Sequence, residues 1–262
     1  MTRPAGLPAE LLYAEIDAST ASLAALVDAQ DPALPIPACP DWTLRQLGTH
    51  VGRAQRWATA IVATRSAEFI EFRSVPDGKL PEVPAERGRW LTAGAGRLLD
   101  ALRAAGDEPV WAFGQLRPAG FWARRMAHET LVHCADAQQA AGAEVSMPAD
   151  IAADAIDEWL TTMSGPHAGQ PDLRASALPV GAALRVQATD PELGGRSRWL
   201  IRHAADGVQV LPDGTASADA LLAGRAADVL LVLMRRIPAA GGPARVSGDA
   251  ALLDRWLERT AF

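Results

Sequence analysis

The hydrophobic period of this chain changes once, and that change limits its fold more than any other feature. From Pro8 to Met163 apolar residues recur at three- and four-residue spacing, as in helices that bury one face. After a Gly- and Pro-rich stretch at 165–171 they alternate or bunch as strands do. A run of helices followed by strands mixed with helices predicts an α+β protein of two domains, 1–164 and 172–262. At 262 residues, 49% of them apolar, the chain has enough material for two separate cores.

The helical part divides at its prolines and caps. A first helix opens at Pro8 and carries Leu11, Leu12, Ile16, Leu23 and Val27 on one stripe. Four prolines (Pro32, Pro35, Pro37 and Pro40) make 31–41 an extended connection. Thr43 and Gln46 then form a capping box, which starts a second helix with the stripe Leu47, Val51, Ala54, Ala58 and Ile61. His50 lies on that stripe and should point inward. Residues 69–84 read as a long loop of the kind that can cover a site mouth. A third helix spans 85–105, and after a loop ending near Gly120 a fourth runs to Ala140, with Gly142 as its stop. Four helices with one apolar stripe each form a bundle, an architecture that builds metal sites from facing helices. A short helix follows at 148–163. The second half reads as strands at 184–188, 199–202 and 208–211, a helix at 218–236, a strand at 244–247 and a closing helix at 250–258.

Charge and cysteine content narrow the function. A net charge of −6 opposes generic nucleic-acid binding, which requires a basic face. No stretch suits a membrane span, and the N-terminus lacks the apolar core of a secretory signal, so a cytoplasmic protein is expected. Cys39 and Cys134, far apart and outside any CxxC pattern, read as reduced thiols.

Chemistry concentrates on the fourth helix. Its inner face carries Trp122, Met126, Glu129, His133 and Ala137, so Glu129 and His133 stand one turn apart on one side. A catalytic zinc site uses three protein ligands and leaves a fourth position open. His50 would complete such a set as His₂Glu. Asp136 is placed to hold an imidazole through a hydrogen bond. His128 should face elsewhere, and the HExxxH spacing departs from the HExxH of metalloproteases. The ordinary alternative is that Glu129 and His133 make a solvated helical pair in a bundle without metal. Arg235-Arg236 either offsets a helix dipole or clamps a substrate carboxylate.

The segment Cys39-Pro40-Asp41-Trp42-Thr43-Leu44-Arg45-Gln46-Leu47 with His50, followed by His128-Glu129-Thr130 with His133 and Asp136, resembles the mycothiol-dependent maleylpyruvate isomerase family. The similarity continues through Ala188-Thr189-Asp190, Trp199, Asp228-Val229-Leu230-Leu231-Val232-Leu233 with Arg235-Arg236, and Val246-Ser247-Gly248-Asp249. This resemblance implies a DinB-like metal-binding four-helix bundle followed by a small α+β domain with a short sheet and two helices. It implies zinc or another divalent metal on His50, Glu129 and His133, with the thiol of mycothiol in the open position. Asp136 and an arginine of the second domain, Arg235 or Arg236, would serve catalysis. The implied partners are a low-molecular-weight thiol and a small electrophile, attacked by an S-transferase or a cis–trans isomerase, with neither nucleic acid nor membrane involved and the chain a monomer or homodimer. The competing expectation is a non-catalytic metal or small-molecule binding protein on the same fold, with a regulatory or stress role.

Overall fold

The computed structural model describes residues 6–164, 177–204, 207–212 and 217–260. Its contacts divide the chain into a unit Leu7–Ser146 and a unit that begins at Met147. The expected linker at 165–171 lies outside the described residues.

The first unit holds α1 (Ala9–Ala29), α2 (Leu44–Ala63), α3 (Pro84–Ala105) and α4 (Gly120–Ala140). Both α1 and α2 pack against α3 and α4, which closes a four-helix bundle. The capping box is present: Gln46 donates its backbone N–H to the Thr43 hydroxyl, and Thr43 N–H donates to Gln46 Oε1 at 2.8 Å. The apolar stripes meet in a core that includes Leu23, Val27, Leu47, Val51, Leu91 and Ala137. Helices α2 and α3 come together over Gly52, where an added Cβ would sit 2.1 Å from the Trp90 ring. The Arg56 guanidinium, one turn further along α2, lies 3.8 Å from the centroid of that ring.

Two connections differ from expectation. The proline-rich segment 31–41 is not simply extended. Cys39 N–H donates to Ile36 O and Trp42 N–H to Cys39 O, each at 3.0 Å, a turn that brings Cys39 and Trp42 back to the start of α2. Between α3 and α4 the chain forms a hairpin, β1 (Pro109–Ala112) and β2 (Gln115–Pro118), where a plain loop was expected. Its two turn residues, Phe113 and Gly114, both have positive φ, as a two-residue hairpin turn of primed type requires. Phenylalanine at the first turn position concealed it.

The second unit holds α5 (Ala149–Ser164), β3 (Ala183–Ala188), β4 (Arg198–Ala204), β5 (Gly207–Pro212), β6 (Ala220–Gly224), α6 (Ala226–Leu233), β7 (Arg245–Gly248) and α7 (Ala250–Arg259). The sheet order is β5-β4-β3-β6-β7, antiparallel except for the parallel β3–β6 pair. The helix expected at 218–236 is therefore corrected to a strand and a shorter helix. Leu221 and Leu222 pair with Arg185 and Val186 in the sheet, and α6 starts only at Ala226, whose N–H donates to Asp190 Oδ2 at 2.6 Å. A continuous apolar run reads the same as strand or helix, and the partners that decide it lie about thirty-five residues upstream. Helix α5, expected with the bundle, packs instead on α6 and β5.

Candidate metal centre

Local structure on α2 and α4 fixes the position of each candidate ligand. His50 lies one turn beyond the capped start of α2, and Glu129 and His133 lie one turn apart in the middle of α4. Because α2 packs on α4, the three side chains converge. His50 Nε2 is 2.9 Å from Glu129 Oε1, and His133 Nε2 is 3.4 Å from the same oxygen. The two imidazole rings stand edge to face, 4.9 Å between centroids. Two ligand atoms bound to one tetrahedral zinc at about 2.0–2.1 Å lie about 3.4 Å apart, so this donor set has nearly the spacing that a shared ion requires. Side-chain exposures of 28% for His50, 25% for Glu129 and 11% for His133 keep the cluster reachable from one side.

The surrounding residues orient these three. His133 Nδ1 is 2.9 Å from Asp136 Oδ2, and since a carboxylate only accepts, Nδ1 carries a proton and Nε2 is the ring nitrogen turned toward Glu129 Oε1. Asp136 is fully buried, and its Oδ2 also accepts from the Cys39 thiol at 3.6 Å. Arg125 donates to Glu129 Oε2 at 2.9 Å, which occupies one carboxylate oxygen and leaves Oε1 for an ion. Trp42 stacks on the His133 ring at 6.0 Å and lies 4.9 Å from the His50 ring. Phe72 approaches His50 from the 69–84 loop at 6.2 Å.

Electrostatics follow from this arrangement. Burial pushes the Glu129 carboxyl up, but hydrogen bonds from His133 and His50 and the nearby Arg125 charge hold it well below the ordinary carboxylate range. Burial likewise opposes charge on His133, and the hydrogen bonds to Asp136, Cys39 and Glu129 overcome it and hold the imidazole well above its ordinary value.

The structure thus brings His50, Glu129, His133 and Asp136 together as the sequence suggested. Cys39, His133 and Asp136 form a second group whose ligand atoms lie within 4.8 Å of one another. His128 is buried and joins neither group. Cys134 lies in the bundle core, where burial raises its thiol, as expected of a structural cysteine. Arg235 and Arg236 lie in the other unit, just past the end of α6. Arg235 is exposed at φ 59°, and Arg236 donates Nη1 to Met234 O at 2.8 Å. Sequence reasoning overlooked Arg125 and Phe72, and took Trp42 only as part of the family segment. Arg125 was detectable, standing four residues before Glu129 on the same face; the other two arrive on irregular segments whose course the sequence leaves open.

Comparison with known proteins agrees with this layout. Residues 13–138 match the model of the mycothiol maleylpyruvate isomerase N-terminal domain, and residues 150–255 match the corresponding C-terminal domain model. Among solved structures, the mycothiol-dependent maleylpyruvate isomerase aligns over 92% of this chain and 93% of its own, at 16% identity and a TM-score of 0.58. A histidine-to-alanine mutant of that enzyme aligns over the same shares at 15% identity and a TM-score of 0.60. No curated protein sequence gives a match.

Proposed function

The chain belongs to the mycothiol maleylpyruvate isomerase family, and from that premise and the geometry of the cluster we propose that it activates a low-molecular-weight thiol, mycothiol, at a zinc ion held by His50, Glu129 and His133, for attack on a small electrophile. The observation that carries this reading is the convergence of three ligand atoms, two of them already oriented by Asp136 and Arg125. The ion, when bound, supplies a coordinated thiol that is deprotonated near neutral pH. Each neighbour has a part in that task. Asp136 keeps the proton on His133 Nδ1 and so keeps Nε2 available as a ligand. Arg125 holds the second Glu129 oxygen and makes that carboxylate a one-oxygen ligand. Trp42 and Phe72 pack beside the His50 imidazole and limit its orientation.

For an isomerase, the thiolate adds to a double bond conjugated with a carbonyl and the π pair moves onto the carbonyl oxygen. The new single bond rotates, and the returning electron pair expels the thiolate. For a transferase, the adduct is protonated and kept. Arg235 or Arg236 is proposed to hold a substrate carboxylate. The test is incubation of the purified, zinc-supplemented chain with mycothiol and maleylpyruvate, reading cis–trans conversion and free thiol together. Conversion above the uncatalysed rate without net thiol loss supports the isomerase, and thiol loss supports the transferase. Neither, from protein that holds zinc, overturns the enzymatic reading.

A further inference from the structure

The two histidines of the cluster are held by different means. Asp136 fixes His133 through Nδ1, whereas His50 bonds through Nε2 to Glu129, and its Nδ1 has no acceptor among the described residues. What limits the His50 ring is aromatic contact: Trp42 at 4.9 Å and Phe72 at 6.2 Å, tilted by 56° and 47°. Trp42 belongs to the turn just before α2. Phe72 comes from the loop that joins α2 to α3, so its place depends on what holds that loop.

Three side chains of α2 hold it. Thr49, Arg53 and Arg56 stand four and three residues apart, on one face of the helix. The Leu80 N–H donates to Thr49 Oγ1 at 3.4 Å, and Arg53 donates Nε to Gly78 O at 2.9 Å. Arg56 donates Nε and Nη2 to Asp77 Oδ2 at 3.2 and 3.0 Å. Asp77 also ties the loop to α3, because Arg97 donates to Oδ2 at 3.3 Å and Trp90 Nε1 to Oδ1 at 3.0 Å. Of the three links only this one is charged on both sides, and its partner is buried: the Arg56 side chain is 5% exposed and also donates to Gly52 O and Trp90 O, each at 3.0 Å. A carboxylate that meets a guanidinium fixed in this way holds better than an ordinary surface pair. The Asp77 backbone has φ 55°, a conformation that aspartate and asparagine adopt more readily than most residues. The Phe72 ring is seated beside this network, 5.7 Å from the Arg53 guanidinium and 5.4 Å from Trp57, which it meets edge to face.

We propose that Asp77 is a positioning residue for the His50 ligand: it holds the loop to α2 and α3, and so keeps the Phe72 ring against the His50 imidazole, as Asp136 keeps His133. The consequence for zinc rests on the thiol-activation reading; the placing of His50 does not. The test compares the parent with Asp77→Asn, Phe72→Ala and the double variant. Asparagine suits the backbone at 77 and keeps an acceptor for Trp90, but it turns an amide N–H toward Arg56 and Arg97. The Asp77 side chain is 56% exposed, so Asp77→Asn should fold, which thermal unfolding confirms. In zinc-free protein, NMR of the histidine ring protons, with His50 assigned through His50→Gln, should show the His50 signals displaced in the same direction in both single variants. Amide hydrogen exchange in the loop should quicken in Asp77→Asn. Zinc affinity, from competition with a chelator, should fall about three- to tenfold in each single variant, less than loss of a direct orienting carboxylate gives, and no further in the double variant. His50 signals that stay in place in folded Asp77→Asn would overturn the assignment. So would zinc affinity unchanged in that variant, or losses that add in the double variant. Displaced His50 signals in a chain that takes up no zinc would reject the thiol-activation reading and leave the positioning role standing.

Discussion

Replacing Asp136 tests how the candidate centre is built. Asp136 is fully buried, and its Oδ2 is the acceptor that keeps the proton on His133 Nδ1. In Asp136→Ala that N–H, on a side chain only 11% exposed, loses its acceptor. An orphaned buried donor costs about 1–3 kcal/mol. The free imidazole can also turn or change tautomer, and loss of such an orienting carboxylate lowers metal affinity about 10–100-fold. Those figures describe the same interaction, since a tenfold change in affinity is about 1.4 kcal/mol. Asp136→Asn keeps an oxygen that can accept from Nδ1–H, although without the charge, so its loss should fall at the low end of the range and that of Asp136→Ala at the high end. The assay is zinc affinity by competition with a chelator of known strength, run beside thermal unfolding to confirm that both variants are folded. If both bind zinc within about threefold of the parent, Asp136 does not orient a ligand, and the account of His133 fails.

Gly52→Ala should destabilise the bundle by about 1–3 kcal/mol, because its Cβ would stand 2.1 Å from the Trp90 ring, which is itself packed against Arg56. Gly96→Ala, where nothing lies within 4 Å, should instead stabilise α3 by about 0.5–1 kcal/mol; denaturant midpoints measure both. In chelator-treated protein, His133 is raised above its ordinary 6.5, so its contribution is complete below that pH and is lost as pH rises through its folded value. Glu129 is held below its ordinary 4.5, so its contribution is complete above that pH and is lost as pH falls. Metal-free stability should therefore be greatest between pH 4.5 and 6.5 as far as this pair is concerned, and a denaturant midpoint that rises steadily through pH 8 would contradict the arrangement. Zinc affinity should run the other way and increase with pH, since the ion displaces a proton.

Much of the bundle was legible in the sequence because its determinants are local. The stripes of α1 to α4 and the Thr43–Gln46 box depend on residues three or four apart. The convergence of His50 on Glu129 and His133 was legible for the same reason: each lies on a stripe, and stripes must meet. What escaped depends on distant partners. Strand β6 exists because β3 offers its edge, and α6 starts where Asp190 caps it, neither of which the run from Leu221 to Leu233 reveals. The place of α5 was hidden because an apolar stripe does not name the surface that covers it. Cys39, Trp42 and Phe72 reach the centre on turns, where no periodicity reports which way a side chain faces.

The most direct measurement of the central claim is zinc per chain, by elemental analysis after zinc titration and desalting, for the parent and for His133→Ala. The account predicts about one zinc per folded parent chain and none retained by the folded variant. A folded parent that takes up no zinc, or a variant that keeps it fully, would contradict it.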